Sequence, residues 1–232
     1  MTFKAILFDL DGTLTPVRSS WQHIHEKLEM WTGRADRYQQ LFLEGRIDYE
    51  EFCRLDALEW KGLPSSRLEA VVADIGYRPG LEKLLETVRA RGYRTGIVST
   101  GLTMLAHRVR GELGFDDAQA NELEVVNGEV SGRVRVHVPH GHKDVAVRRF
   151  CERFGLNPHE VIAVGDTAGD ISMFQAVGYA IAFDPVGEEP GLAAHATVHE
   201  PDLGALAAAL PLTPGVTPRA ARGRPRPSEL RR

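Results

Sequence analysis

The stretch FKAILFDLDG (Phe3–Gly12) decides the fold. Its first six residues are a short, mostly apolar run, and the run breaks off at Asp9-Leu10-Asp11-Gly12. A run of that length and kind reads as a buried strand with carboxylates at its C-terminal end. The same grammar recurs downstream. TGIVS (Thr95–Ser99) is a second apolar run, followed by Thr100-Gly101, and VIAV (Val161–Val164) is a third, running into Gly165-Asp166 with Asp170 close behind. YAIAF (Tyr179–Phe183) is a fourth.

Helical periodicity fills the gaps. Leu81, Leu84, Leu85 and Val88 line one face of a helix that follows Pro79-Gly80 and stops at Gly92. Leu102, Leu105, Val109 and Leu113 line a second, and Lys143–Phe154 forms a third, stopping at Gly155. Asp170–Val177 and Asp202–Leu210 read as two shorter helices, and Asn127-Gly128 between β-rich arms signals a hairpin. Short apolar strands alternating with helices predict an α/β fold, a Rossmann-like parallel sheet with helices on both faces. Residues 15–78 have another texture. All three tryptophans fall there, and Leu28, Trp31, Leu41, Phe42, Phe52, Leu55, Leu58 and Val71 recur at helical intervals, predicting three to five helices. The tryptophans read as the core of that insert rather than as a stacking platform, and His23 and His25 as surface or partly buried helix residues. The expected organisation is a core of residues 1–14 and 79–210, a small helical insert of residues 15–78, and a tail of residues 211–232.

Composition narrows the classes. The 232 residues are 43% hydrophobic and 26% charged, which suits a packed core and argues against global disorder. No apolar run is long enough to span a membrane, and the N-terminus turns acidic too early for a secretory signal. Two isolated cysteines, Cys53 and Cys151, make no disulfide framework and point to a reducing cytoplasm. The net charge is −4, yet the tail holds six arginines, five prolines and one acid and is expected to be disordered. The remaining body is acidic, which argues against nucleic acid as the main partner.

In parallel α/β sheets the site lies outside the carboxyl ends of the strands. Asp9 and Asp11, Ser99-Thr100, and Asp166 with Asp170 therefore converge on one rim. Asp9 and Asp11 would share a face if the strand continued, and Gly12 permits a sharp turn after them. Four carboxylates in one crevice repel unless a cation sits among them, and hard oxygen ligands favour magnesium. Thr13 and Ser99 offer hydroxyls, Leu10–Gly12 and Thr100-Gly101 offer backbone N–H groups, and Lys143 offers a point charge, a set that suits a phosphoryl group. One carboxylate can attack phosphorus, and another can move the protons. The HGH run before Lys143 reads as a solvated turn.

These residues carry a resemblance. Asp9-Leu10-Asp11-Gly12-Thr13 is similar to the DxDGT signature of the haloacid dehalogenase superfamily, Ser99 to its second motif, Lys143 to its third, and Gly165–Asp170 to its fourth. ANELEVVNGEVSG, EVIAVGDTAGDISMF and YAIAF resemble the phosphoserine phosphatase group, and the insert resembles that group's helical cap. The resemblance implies a magnesium-dependent phosphomonoester phosphatase acting on a small phosphorylated metabolite. Asp9 would be the nucleophile and Asp11 the general acid/base, with its carbonyl a magnesium ligand. Asp166 and Asp170 would complete the metal site, and Ser99 and Lys143 would hold the phosphoryl group. The chain departs from the group at three places. Gly169 stands where the group has Asn. Arg18 replaces the acid nine residues after the nucleophile that faces the substrate amine. Asp56 falls where a cap arginine is expected, with Arg54 nearby as a substitute. Arg18 is accordingly expected to face the substrate, disfavouring phosphoserine and favouring a sugar phosphate or a doubly anionic metabolite. A phosphomutase of the same fold and a non-catalytic phosphate-binding regulatory protein are the alternatives. A dehalogenase would not need Asp11 or the acidic cluster, and a transport ATPase would need membrane helices.

Overall fold

Every residue of β1 (Ala5–Phe8) is buried, and the strand lies at the middle of the sheet. A computed structural model of the chain describes residues 2–31 and 33–211. The expectation of a disordered tail falls, from residue 212 onward, outside the described residues. After β1 come four helices, α1 (Ser20–Lys27), α2 (Gly33–Leu43), α3 (Tyr49–Glu59) and α4 (Ser65–Ala73). The chain then alternates: α5 (Leu81–Ala90), β2 (Arg94–Leu102), α6 (Thr103–Leu113), β3 (Asp117–Val126), β4 (Glu129–Arg135), α7 (Asp144–Phe154) and β5 (Val161–Gly165). It closes with α8 (Ile171–Gln175), β6 (Tyr179–Phe183), α9 (Glu189–Ala193), β7 (Ala196–Val198) and α10 (Leu206–Ala209).

The strand order is β4-β3-β2-β1-β5-β6-β7, with β3 and β4 antiparallel and the other neighbours parallel. β1 is paired by β2 on one side and β5 on the other, which makes its C-terminal end the topological switch point. Phe8 stands opposite both Ile97 and Val164. The residues just beyond these, Asp9, Ser99 and Asp166, therefore reach the same level of the rim.

Side chains alternate across the sheet and both faces are covered. Ile6, Phe8, Ile97, Ile162, Val164, Ile181 and Phe183 pack into one apolar cluster, and Ala5, Leu7, Val98, Ala163 and Ala182 into the other, against Val147, Phe150 and Met173. The first cluster continues without a break into the insert through Trp21, Ile24, Trp60, Leu68 and Val72. The tryptophan reading holds for Trp21 and Trp60, which are buried and stacked at 5.3 Å.

Asn127 and Gly128 both have positive φ (52° and 82°), as a two-residue hairpin turn of the right twist requires. The hairpin also holds the insert. Ser65 N–H donates to Gly128 O, Gly62 N–H to Val130 O, and Val130 N–H to Leu63 O, each at 2.8 Å.

Four details differ from the sequence reading. β2 does not end at Ser99; it runs to Leu102 through a register shift after Val98, where the Ser99 hydroxyl accepts the Gly101 N–H at 2.9 Å. The first half of β3 pairs in parallel with β2, and α9 and β7 carry no strong apolar pattern. The segment from Asp202 opens as a 3-10 turn before α10, because the Asp202 carboxylate accepts the Gly204 N–H at 2.7 Å. His25 is fully buried, its ring 4.5 Å from that of Trp60.

Candidate active site

β1 stops at Phe8, and the chain turns at Gly12 with φ 84°. A Cβ there would lie 2.3 Å from Oδ2 of Asp166, so only glycine lets the two strand ends approach. The strand does not continue past Phe8, so the condition under which Asp9 and Asp11 would share a face is not met. Asp9 meets Lys143, whereas Asp11 reaches the start of α1, where its Oδ2 accepts the backbone N–H of Ser20 at 2.9 Å and its hydroxyl at 2.6 Å.

Lys143 immediately precedes α7 and is 2% exposed. Its ammonium donates to Oδ1 of Asp9 at 2.5 Å and to Oδ1 of Asp170 at 2.6 Å. The other oxygen of Asp170 accepts the N–H groups of Asp166 and Thr167 at 3.0 and 2.9 Å. Asp170 thus fixes the turn after β5 with one oxygen and Lys143 with the other. Asp166 is fully buried, with Oδ1 accepting the Thr13 hydroxyl at 2.7 Å and Oδ2 paired with Arg18 at 2.5 Å.

The electrostatics follow from burial and crowding. Burial holds the Asp9 carboxyl well above the ordinary range; Lys143 opposes this, and Asp170 and Asp166 reinforce it. Asp166 is pushed up to about 6 by burial and by Asp170, against Thr13 and Arg18. Asp11 is raised by burial, with the two Ser20 hydrogen bonds pulling it back. Burial alone would lower Lys143, but Asp170 and Asp9 outweigh it and hold the ammonium charged.

Asp9, Asp166 and Asp170 bring carboxylate oxygens within 4.8 Å of one another, all three buried. Their hard donors, their proximity and the raised carboxyls of Asp9 and Asp166 fit a divalent cation. Asp11 contributes no carboxylate to this trio; its side chain is engaged with Ser20, and one oxygen, Oδ1, is buried without a protein partner.

The remaining expected residues also reach the rim. A Cβ on Gly101 would lie 2.7 Å from the Ser20 hydroxyl and 2.9 Å from Oδ2 of Asp11. The carbonyl of Thr100 accepts from Tyr49 at 2.7 Å, Asn121 at 2.9 Å and Trp21 at 3.3 Å. Arg18 is committed to carboxylates, Asp166 and Asp184. Arg54 does not substitute for the expected cap arginine, because it pairs with Glu51 one turn away on the exposed face of α3. Asp56 is 1% exposed and sits 3.5 Å from His25 inside the insert, so it does not confront an incoming substrate. At Gly169 a Cβ would come within 3.0 Å of the His140 ring, which packs against Phe42 and Tyr49. His140 is therefore not simply part of a solvated turn.

Ser20, Tyr49, Asn121, Asp184 and Arg78 were not singled out from the sequence. Asn121 lies within the quoted ANELEVV phrase, but its task is visible only in three dimensions: its carbonyl accepts the N–H groups of His137 and Val138 while its amide holds Thr100.

Such a rim at the switch point of such a sheet defines the class, a Rossmann-like α/β protein with an aspartate-lined centre. The chain belongs to the haloacid dehalogenase-like hydrolase family, whose model matches residues 6–175. It is 32% identical over 206 residues to a phosphoserine phosphatase of Streptomyces coelicolor, covering 86% of this chain and 48% of that one. It is 31% identical over 186 residues to a phosphoserine phosphatase of Methanocaldococcus jannaschii, covering 78% of this chain and 85% of that one. The chain thus spans about half the length of some curated relatives and most of others. A solved structure of a phospho-aspartyl intermediate analogue of phosphoserine phosphatase superposes with a TM-score of 0.79 at 27% identity, covering 91% of this chain and 100% of that one. Among the described residues, no helix is long and apolar enough to cross a membrane.

Proposed function

We propose that the chain is a magnesium-dependent phosphomonoester phosphatase acting on a small phosphorylated metabolite through an aspartyl-phosphate on Asp9. Residues 1–14 and 79–210 form the catalytic core, and residues 15–78 form the cap. The observation that carries this reading is Lys143 spanning Asp9 and Asp170, with Asp166 beside them.

Asp9, Asp166, Asp170 and the carbonyl of Asp11 would hold magnesium, which when bound offsets the repulsion between these carboxylates and a phosphate. Lys143 fixes Oδ1 of Asp9 and leaves Oδ2 as the attacking atom. A P–O(Asp9) bond forms while the ester P–O bond breaks. Asp11, its carboxyl raised by burial, gives its proton to the departing oxygen. It then takes a proton from water, whose oxygen attacks phosphorus, so that phosphate leaves and the Asp9 carboxylate is restored. Ser99, Thr13 and the backbone of Thr100-Gly101 line the phosphoryl seat. Selectivity rests with the cap side, where Arg18, paired with Asp166 and Asp184, stands in place of an acid that could meet an ammonium on the leaving group, so phosphoserine should be a poor substrate. Two buried free cysteines accord with a cytoplasmic setting. The intact Asp9 and Asp11 favour an enzyme over a phosphate-binding regulator, and product analysis with a phosphorylated primer separates hydrolysis from a mutase reaction.

The test is phosphate release from a panel of phosphorylated metabolites, phosphoserine included, with magnesium and then with excess chelator. Turnover that needs magnesium and is lost on chelation supports the reading. Full activity in chelator, or no release from any substrate, overturns it. A strong preference for phosphoserine overturns the part assigned to Arg18.

A further inference from the structure

Two segments join the helical insert to the sheet, residues 15–19 and 74–80, and each carries an arginine. Both arginines converge on Asp184, just after β6. Arg18 Nη2 and Arg78 Nη2 each lie 2.9 Å from the same oxygen, Oδ2. Arg78 is buried, donates through Nε to the carbonyl of Gly12 at 2.9 Å, and lies over the ring of Phe183 at 5.4 Å. Its backbone N–H donates to the carbonyl of Leu14 at 2.9 Å, which ties the second segment to the residue just before the first. Asp184 is thus held in place by a fixed arginine at a positive φ of 42°.

Arg18 is different. It is 42% exposed, and its other terminal nitrogen, Nη1, sits 2.5 Å from Oδ2 of Asp166. The Thr13 hydroxyl already occupies Oδ1 of Asp166. A guanidinium therefore stands at the carboxylate oxygen that a divalent cation would use. The two positive charges would compete for one buried carboxylate, and their repulsion grows as the reciprocal of their separation.

We propose that Arg18 is the built-in countercation of the acidic centre, displaced from Asp166 by the incoming divalent cation and received by Asp184. This rests on the reading that Asp9, Asp166 and Asp170 bind that cation. Arg18 already touches Asp184 with its second nitrogen, so displacement breaks the Asp166 pair and frees Nη1 to join Nη2 there, and the Arg18–Asp184 pair strengthens as the cation binds. Cation occupancy is thereby coupled to the segments that carry the cap.

The experiment is calorimetric titration of the full chain with magnesium chloride, without substrate, alongside thermal melting in chelator and in magnesium. Arg18→Ala should tighten magnesium binding by about tenfold, within the usual range of such couplings, and should lower the melting temperature in chelator more than in magnesium. Arg18→Gln should give the same signs and serves if the alanine variant folds poorly. Asp184→Asn should weaken binding, because Arg18 loses its receiving carboxylate. In the double variant Arg18→Ala/Asp184→Asn the second change should add little, since a receiver without an arginine has no role. Unchanged or weaker binding in Arg18→Ala overturns the competition. An equal effect of Asp184→Asn in both backgrounds overturns the receiver role, because it makes Asp184 a distant charge only. A wild type that binds no magnesium overturns the metal assignment of the proposed function, and the displacement falls with it.

Discussion

Ser20 donates both its backbone N–H and its hydroxyl to a single oxygen of Asp11, at 2.9 and 2.6 Å. The first residue of the first insert helix thus grips the carboxyl proposed to move protons. Both bonds favour the charged form of Asp11 and oppose the upward push of burial.

Removing the hydroxyl follows directly. Ser20→Ala should raise the Asp11 pKa further, because a bond to the charged form is lost while burial stays. Asp11 must be protonated to assist the leaving oxygen, so the basic limb of the kcat/KM profile should move to higher pH. A hydrogen bond to a charged group contributes about 1.5–3 kcal/mol, so kcat should fall by roughly ten- to a hundredfold. The pH profile of purified wild type and variant checks both, and a limb that moves to lower pH contradicts the assignment of Asp11.

Asp9→Asn keeps the shape and loses the nucleophile. Turnover should drop by at least about a thousandfold, near 4 kcal/mol in barrier. The fold should survive, since the change relieves carboxylate crowding at the rim. Steady-state assays with a melt on the same sample separate the two effects. Retention of more than a per cent of activity rules out attack by Asp9.

Lys143 is buried between two carboxylates, and among the described residues no other side chain bonds to both. Lys143→Met should abolish activity and destabilise the chain in chelator by about 3–5 kcal/mol, the usual cost of leaving buried charge unpaired. Magnesium should recover part of that loss, because it supplies positive charge to the same oxygens. Urea unfolding with and without magnesium measures this, and a variant as stable as wild type in chelator would show that Lys143 does not neutralise the centre.

Asp56 gives a pH signature away from the site. Burial holds its carboxyl above the ordinary range, with His25 pulling the other way. The folded chain therefore binds this proton more tightly than the unfolded chain. Stability from the neutral form is complete below the unfolded value, near 3.9, and is lost as pH rises through the folded value, at about 1.4 kcal/mol per unit of difference. Asp56→Asn is neutral at every pH and escapes that loss. Its melting temperature relative to wild type should rise between pH 4 and pH 8. A relative fall over the same range would mean that Asp56 works as a charged partner of His25.

The sequence by itself determined the frame and most of the chemistry. Apolar runs such as AILF, VIAV and YAIAF are buried on both faces, and only a covered parallel sheet accepts them, so strand identity and the convergence of Asp9, Ser99 and Asp166 were legible in one dimension. Asn127-Gly128 announced its turn because positive φ is a local demand. Three-dimensional contact decided the rest. Whether Asp9 and Asp11 share a face depended on where β1 stops, and the turn that follows, at Gly12, is packed against Asp166 from a distant strand end. His25 reads as a surface or partly buried helix residue until Trp31 and Trp60 pack against it. Arg18 meets Asp166 148 residues away, and Asp184 166 residues away. Periodicity reports which face of its own element a residue occupies. The partner waiting there comes from another part of the chain, and only packing brings it in.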